Sequence, residues 1–362
     1  MKRISSRFAR PGQVLSHAAY DSYGKKLLDE KASLDEANIL LLQKNCVSEI
    51  FVEDPFTNGI TAAPLVSPEI EGQAALVVKK AYTENYPRST ISIKNVRAIR
   101  ESALAILEAI LSAATGEISI APVITEKEYL FLQPVKTSMI AVALGRSLGL
   151  GREQLENIAA ASLFKDIGYI MLPREIIMKD GTLTIAETMK MREHCKLGHD
   201  ILLQHESCKG EIASLVLQHH ERWNGKGYPR NLPGSRISTS SQVIAIADQY
   251  ASLLSKRPGG RSVYVPHQAV EYVMAFSGEY FDPAIVKTFI ERVSCYSTGM
   301  MVKLNTGESG VVSDPKTGFV GRPVVRLFPP AGKKPSHKHH DIDLSKFDNK
   351  QTMVTEILEY SF

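Results

Sequence analysis

The chain has 362 residues, 44% of them apolar and 23% charged, close to a globular average, which excludes a disordered, collagen-like or coiled-coil protein. That length suggests roughly two to three units. Its 43 basic residues exceed the 39 acidic ones by four, too small an excess to point to DNA or RNA.

No stretch approaches the roughly 20 apolar residues of a membrane helix, so no membrane span is expected. The start is basic, but Arg10-Pro11-Gly12 stands where a secretory leader would have its apolar region. A cytoplasmic location is therefore expected. Cys46, Cys195, Cys208 and Cys295 lie far apart, and read as reduced thiols rather than a disulfide framework or a cysteine zinc site.

In chain order, residues 1–62 read as a small α/β unit. Val14 to Ala19 and Lys25 to Leu28 predict a hairpin about the turn Asp21-Ser22-Tyr23-Gly24. Ser33-Leu34-Asp35-Glu36 fits a capping box opening a helix, and Val47 to Val52 reads as a strand. Residues 63–98 predict a helical connector. Residues 99–297 carry mainly helical periodicity, with helices over about 126–148 (disturbed by Pro134), 153–164, 185–205, 211–220, 241–254 and 267–275. Residues 298–362 read as a β-rich tail, with short runs at Met300–Leu304, Gly310–Val312 and Pro323–Phe328. The fold class expected is mainly α: a helical bundle core with a small N-terminal α/β unit and a small C-terminal β-rich unit.

Histidine placement carries the chemistry. His194, His199, His205, His219 and His220 are five of the ten histidines and lie between positions 194 and 220. Asp166 and Asp248 flank them, each on a different expected helix or helix end. Helical bundles build metal sites from inward-facing residues on neighbouring helices. A mixed imidazole and carboxylate set suits iron, manganese or zinc better than calcium or magnesium. The alternative is a metal-free polar core held by hydrogen bonds. His199 and His205 fit surface or packing positions better than ligand positions.

The sharpest motif runs from His219-His220-Glu221 through Trp223-Asn224-Gly225 to Gly227-Tyr228-Pro229. Two histidines end a helix, Gly227 permits a tight turn and Pro229 stops the helix from resuming. Tyr228 is thereby expected beside the histidines. At this loop the chain resembles the HD-GYP family, metal-dependent phosphodiesterases of cyclic dinucleotide signalling. Asp166-Ile167-Gly168 with Leu172-Pro173, Glu193-His194 with Gly198, Ala247-Asp248 and Arg257-Pro258 match the family in order and spacing. The resemblance covers most of the chain.

The departures are specific. The family's His-Asp pair reads Lys165-Asp166, and the place of an earlier histidine falls on Gln133. Tyr169 stands where a lysine is usual, Asn224 where an acid is usual, and Ala251 where a second aspartate is usual. The resemblance implies two-metal phosphodiester hydrolysis in intact members. In this chain it leaves the first metal position with Asp166 and Asp248 alone. An ammonium about 4 Å from a divalent ion is repelled by about 8 kcal/mol at an effective dielectric of 20. Lys165 is therefore expected to replace the first ion and to pair with Asp166 and Asp248.

Asp166, His194, His219 and His220 would then hold one divalent ion (iron, manganese or zinc), with Asp248 as a further ligand candidate. Asp166, Lys165 and Tyr228 are the residues expected at the reacting centre. Arg257, Arg261, Tyr228 and Trp223 are the nucleotide-binding candidates, with a solvated loop the alternative for the arginines and packing the alternative for Trp223. The functional expectation is a degenerate HD-GYP protein of cyclic di-GMP signalling: a weak or inactive phosphodiesterase acting as nucleotide receptor or as protein-interaction scaffold. On the scaffold reading, the Gly-Tyr-Pro loop docks signalling proteins. The alternative is an active metal-dependent cyclic di-GMP phosphodiesterase.

Overall fold

A computed structural model describes the chain except for residues 46, 48, 62–63, 114–116, 119–127, 257–262, 317, 320, 330–339 and 359–362. Two compact units emerge. Met1–Pro64 and Val293–Phe362 together form one, and Leu65–Arg292 forms the other.

In the first unit, β1 (Lys2–Ser5) pairs antiparallel with β4 (Glu49–Val52), and β2 (Ala19–Tyr20) with β3 (Lys26–Leu28). Between β3 and β4 lies α1 (Glu36–Lys44). The cap of α1 is Asp35, whose side chain accepts from the Asn38 amide, and not the expected Ser33. Ser33 is instead held in an isolated bridge to Val14, so Val14–Ala19 contributes bridges and only the short end of a strand. Strand β1 has no sequence signature, because Ile4 is its one aliphatic side chain. Arg3 is nonetheless buried and reaches Glu49 at 3.4 Å. The tail forms a five-stranded antiparallel sheet, in the order β8 (Asp341–Asp343), β7 (Val324–Leu327), β6 (Ser309–Asp314), β5 (Met301–Leu304), β9 (Val354–Ile357).

The second unit is helical. It comprises α2 (Pro68–Asn85), α3 (Ile93–Ser112), α4 (Tyr129–Ser147), α5 (Arg152–Phe164), α6 (Arg174–Ile177), α7 (Ile185–Arg192), α8 (His194–Leu202), α9 (Glu211–Gln218), α10 (Thr239–Leu253), α11 (Pro266–Ala275) and α12 (Pro283–Arg292). Its starts follow ordinary capping chemistry. Ser67, Ser92 and Ser238 accept from backbone amides at the heads of α2, α3 and α10, and Thr184 with Glu187 forms a capping box on α7. Helix α4 is the central one: every residue from Leu132 to Gly145 is buried. A helix buried all round must sit inside the bundle.

Pro134 lies within α4 without ending it. It is the sixth residue of the helix, so the one backbone bond it forgoes is that to the Leu130 carbonyl. The single helix expected over 185–205 is instead two, divided at Glu193. The mainly α fold, with its helical core, N-terminal α/β part and C-terminal sheet, is the one the periodicity predicts.

Candidate metal centre

Five helices of the helical unit, and the turn that follows one of them, deliver the site. Lys165 caps the end of α5, and Asp166 opens the tight turn Ile167–Met171 that follows. His194 is the first residue of α8. His219 caps α9, and His220 follows it. Asp248 lies on α10 and Gln133 on α4. Gly168 explains one glycine of the sequence pattern. A Cβ there would collide with the His194 backbone carbonyl, so only glycine lets the Asp166 turn lie against α8.

The three imidazoles converge. Nδ1 of His194 is 2.7 Å from the Met191 carbonyl, and Nδ1 of His219 is 2.7 Å from the Val216 carbonyl. A carbonyl only accepts, so each Nδ1 carries the proton and donates it. Burial lowers the pKa of all three histidines, that of His219 to about 4; neighbouring imidazoles add to the effect at His219 and His220, and the Lys165 charge adds to it at all three. The rings are therefore neutral at pH 7, and each Nε2 of His194 and His219 presents a lone pair. Those two Nε2 atoms face each other at 3.2 Å. Two acceptors at that distance repel unless an electrophile lies between or beside them. Backbone carbonyls that fix the tautomer in this way are the usual support of imidazole ligands. The donor set thus fits a divalent ion. The ring of His220 completes the group, 4.1 Å from that of His219 and 5.2 Å from that of His194.

Beside this cage is a charged cluster of different character. The Lys165 ammonium pairs with Oδ2 of Asp166, and lies 2.9 Å from Oδ1 of Asp248. The Gln133 amide donates to the same Asp248 oxygen at 2.7 Å and to the Asp248 carbonyl at 3.2 Å. Burial alone would lower the Lys165 pKa, but the charges of Asp166 and Asp248 outweigh it and the net shift is upward. Burial likewise works to raise the Asp248 pKa, and Lys165 reverses it to a net lowering. Asp166 joins the two clusters: its other oxygen, Oδ1, is 3.5 Å from Nε2 of His194.

The loop after α9 supplies the far wall. The buried Glu221 carboxylate accepts from the Arg230 amide at 2.7 Å and the Leu232 amide at 2.9 Å. Gly227 lies so close to the Glu221–Arg222 backbone that a Cβ would overlap it. This folding puts the Tyr228 ring 4.8 Å from His220 and 6.5 Å from His194. Burial raises the Tyr228 pKa well above its ordinary value, so the hydroxyl keeps its proton at neutral pH.

The sequence-predicted residues therefore fall into three groups. Lys165, Asp166, His194, His219, His220, Tyr228 and Asp248 come together. Trp223 lies apart from the imidazoles in its contacts: its ring covers Gly234, and its amide donates to the Tyr280 carbonyl at 3.1 Å. Arg257 and Arg261 lie outside the described residues. His199 pairs with its neighbour Asp200 at 3.0 Å, as a surface residue would.

Three neighbours of the site went unassigned in the sequence. Arg192 stacks its guanidinium 5.0 Å from the Tyr228 ring centre. Tyr169, noted only as a departure, packs its ring 4.6 Å from His194. Cys195 is fully buried with Sγ 3.4 Å from Nε2 of His194. Its adjacency to His194 was the one available signal, and the lack of a paired cysteine hid it.

Comparison with known proteins bears on this geometry. A family model described as HD domain matches residues 118–285, which spans α4 to α11 and every residue of the cluster. A cyclic di-GMP phosphodiesterase of Pseudomonas aeruginosa is 29% identical over 64% of this chain and 55% of its own length. The cyclic di-GMP phosphodiesterase response regulator RpfG of Xanthomonas campestris pv. campestris is 32% identical over 43% of this chain and 41% of its own length. The chain thus spans about half the length of the curated relatives it matches. Among solved structures, Bd1817, a HDG"Y"P protein from Bdellovibrio bacteriovorus, is similar with a TM-score of 0.45 and 14% identity, over 79% of this chain and 97% of that one. Residues 118–285, which hold the imidazole cage and the Gly-Tyr-Pro loop, thus match the HD domain family.

Proposed function

We propose that the chain is a weak or inactive phosphodiesterase of cyclic di-GMP signalling, acting as a nucleotide receptor or as a protein-interaction scaffold. One observation carries this reading: the Lys165 ammonium is buried between Asp166 and Asp248, where the family resemblance puts a first metal. A fixed positive charge there balances the two carboxylates and repels a divalent ion. Gln133 reinforces the arrangement by holding Asp248 from the other side.

Asp166, His194, His219 and His220 are the residues that would hold the remaining divalent ion. Such an ion would lend positive charge to a phosphodiester oxygen. Lys165 draws on Asp166 from the opposite side and weakens it as a donor. Tyr228, protonated and beside His220, would offer a hydroxyl to a phosphate oxygen. Arg192, over the Tyr228 ring, would add a positive charge at the same edge.

The second reading is an active metal-dependent cyclic di-GMP phosphodiesterase. The intact imidazole cage and the phosphodiesterase activity of the relatives favour it. Incubating the full chain with cyclic di-GMP and manganese or iron, then separating products by chromatography, decides between the two. Calorimetric titration of the same preparation with the nucleotide runs alongside. The expected result is no more than a trace of linear dinucleotide; heat of binding then marks a receptor, and its absence a scaffold. Linear product accumulating over many turnovers would select the second reading.

A further inference from the structure

Cys195 is the side chain of the cluster to which the proposed function gives no task. Its sulfur is 3.4 Å from Nε2 of His194 and 4.0 Å from Nδ1 of His219. Ligand atoms of His194, Cys195, His219 and His220 all lie within 4.8 Å of one another. A tetrahedral ion with nitrogen at about 2.0–2.1 Å and sulfur at about 2.3 Å sets its ligand atoms roughly 3.3–3.6 Å apart. The facing Nε2 atoms at 3.2 Å and the sulfur contact at 3.4 Å lie close to that spacing. Asp166, the carboxylate that would otherwise complete the set, is drawn toward Lys165 by an ion pair through Oδ2. Its other oxygen, Oδ1, is 3.5 Å from Nε2 of His194, no nearer than the Cys195 sulfur, so the sulfur is an equally placed donor and one that Lys165 does not draw away.

We infer that Cys195 is a protein ligand and that the cage of His194, Cys195, His219 and His220 takes a thiophilic divalent ion, zinc in preference to manganese or magnesium. The inference rests on the single-ion reading above. Binding forms a sulfur–metal bond and releases the thiol proton to solvent, with no change of oxidation state. Thiolate is a soft donor, so its presence shifts the preference away from ions that favour oxygen. Without an ion, the same 3.4 Å contact is a weak S–H···N hydrogen bond from Cys195 to His194. The two states differ in what a spectroscopic metal reports.

The test uses the full chain, stripped with chelator and titrated with cobalt(II). The expected result is one equivalent bound, with a sulfur-to-cobalt charge-transfer band in the near ultraviolet beside the visible bands of tetrahedral cobalt. Cys195→Ser should abolish the charge-transfer band and keep the visible bands; Cys208→Ser should change neither. Zinc should displace the cobalt. Its dissociation constant should rise in Cys195→Ser by more than the ~10–100-fold that loss of an outer partner costs. Cobalt bound without the band, or a band surviving in Cys195→Ser, overturns the role of Cys195 and leaves the single-ion reading standing. Failure of the chain to take up either cobalt or zinc overturns both. The unmodified chain alone gives the first of these readouts, so the outcome does not depend on the variant folding.

Discussion

The Lys165 ammonium stands 2.9 Å from Oδ1 of Asp248, and the Gln133 amide donates to the same oxygen at 2.7 Å. A cation and a neutral donor thus share a carboxylate that the family resemblance assigns to a metal. All three side chains are buried, so each depends on the others for the polar partners that water would supply. The two departures from the family pattern are one compensated change. Gln133 and Lys165, far apart in the chain, meet on Asp248.

Removing the cation should be costly. Lys165→Met leaves Asp166 and Asp248 buried beside each other without a counter-charge. Breaking a buried pair by removing one partner costs about 3–5 kcal/mol. The unfolding free energy from urea titration is expected to fall by that amount, with the slope unchanged and the midpoint lowered in proportion. A loss below about 1 kcal/mol, the range of exposed pairs, would show that the two carboxylates are not held by Lys165.

Restoring imidazoles should do the opposite to metal content. In Lys165→His with Gln133→His, both repulsion and blockage at Asp248 disappear, and two lone-pair donors take their place. Elemental analysis should then rise from one ion per chain toward two. An unchanged content would mean that residues 133 and 165 do not stand where the missing ligands belong.

How far this site was legible in the sequence depends on which property each residue contributes. The helical core could be read, because periodicity is carried by residue types; the pairing of Lys165 with both aspartates was expected only through the family resemblance, which puts the three at one metal position. The sequence reading of Gly168 stopped at its place in the motif. Only the close passage of the turn over the His194 carbonyl gives its physical reason. Strand β1 was hidden because its pairing with β4 is long-range, and a single aliphatic side chain shows no alternation. The boundary at Glu193, which places His194 at the head of a new helix, breaks a periodicity that runs on through it. Cys195 has no cysteine at a paired spacing to mark it. Its partners are histidines on another helix end, and no local pattern records that.

The depressed histidine pKa values set a pH dependence for the chelated chain. His219 titrates near 4 in the folded state against 6.5 as its ordinary value, and His194 and His220 shift in the same direction. Between those limits the unfolded state binds more protons than the folded one. Stability is therefore complete above about pH 6.5 and is lost as the pH falls toward 4, by up to about 1.4 kcal/mol per pH unit for each proton. Urea midpoints of metal-free protein measured across that window should fall with pH. A flat profile would mean that the rings are not buried neutral.

Glu221 offers a test of the loop that carries Tyr228. Its carboxylate accepts from the amides of Arg230 and Leu232, tying the far side of the Gly-Tyr-Pro turn back to the residue that follows His220. In Glu221→Gln one of those two acceptors becomes an NH2 group, which faces an N–H and cannot bond to it. Hydrogen bonds to charged groups contribute about 1.5–3 kcal/mol. The variant should lose roughly that much stability locally. Amide exchange over Arg230 and Leu232 should accelerate about 10–100-fold, each 1.4 kcal/mol being a factor of ten. His220 is the neighbour of Glu221 and its ring stacks against Tyr228, so metal affinity should fall in parallel. Faster exchange with unchanged metal binding would show that His220 is held by α9 alone, and that the loop positions Tyr228 without supporting the cage.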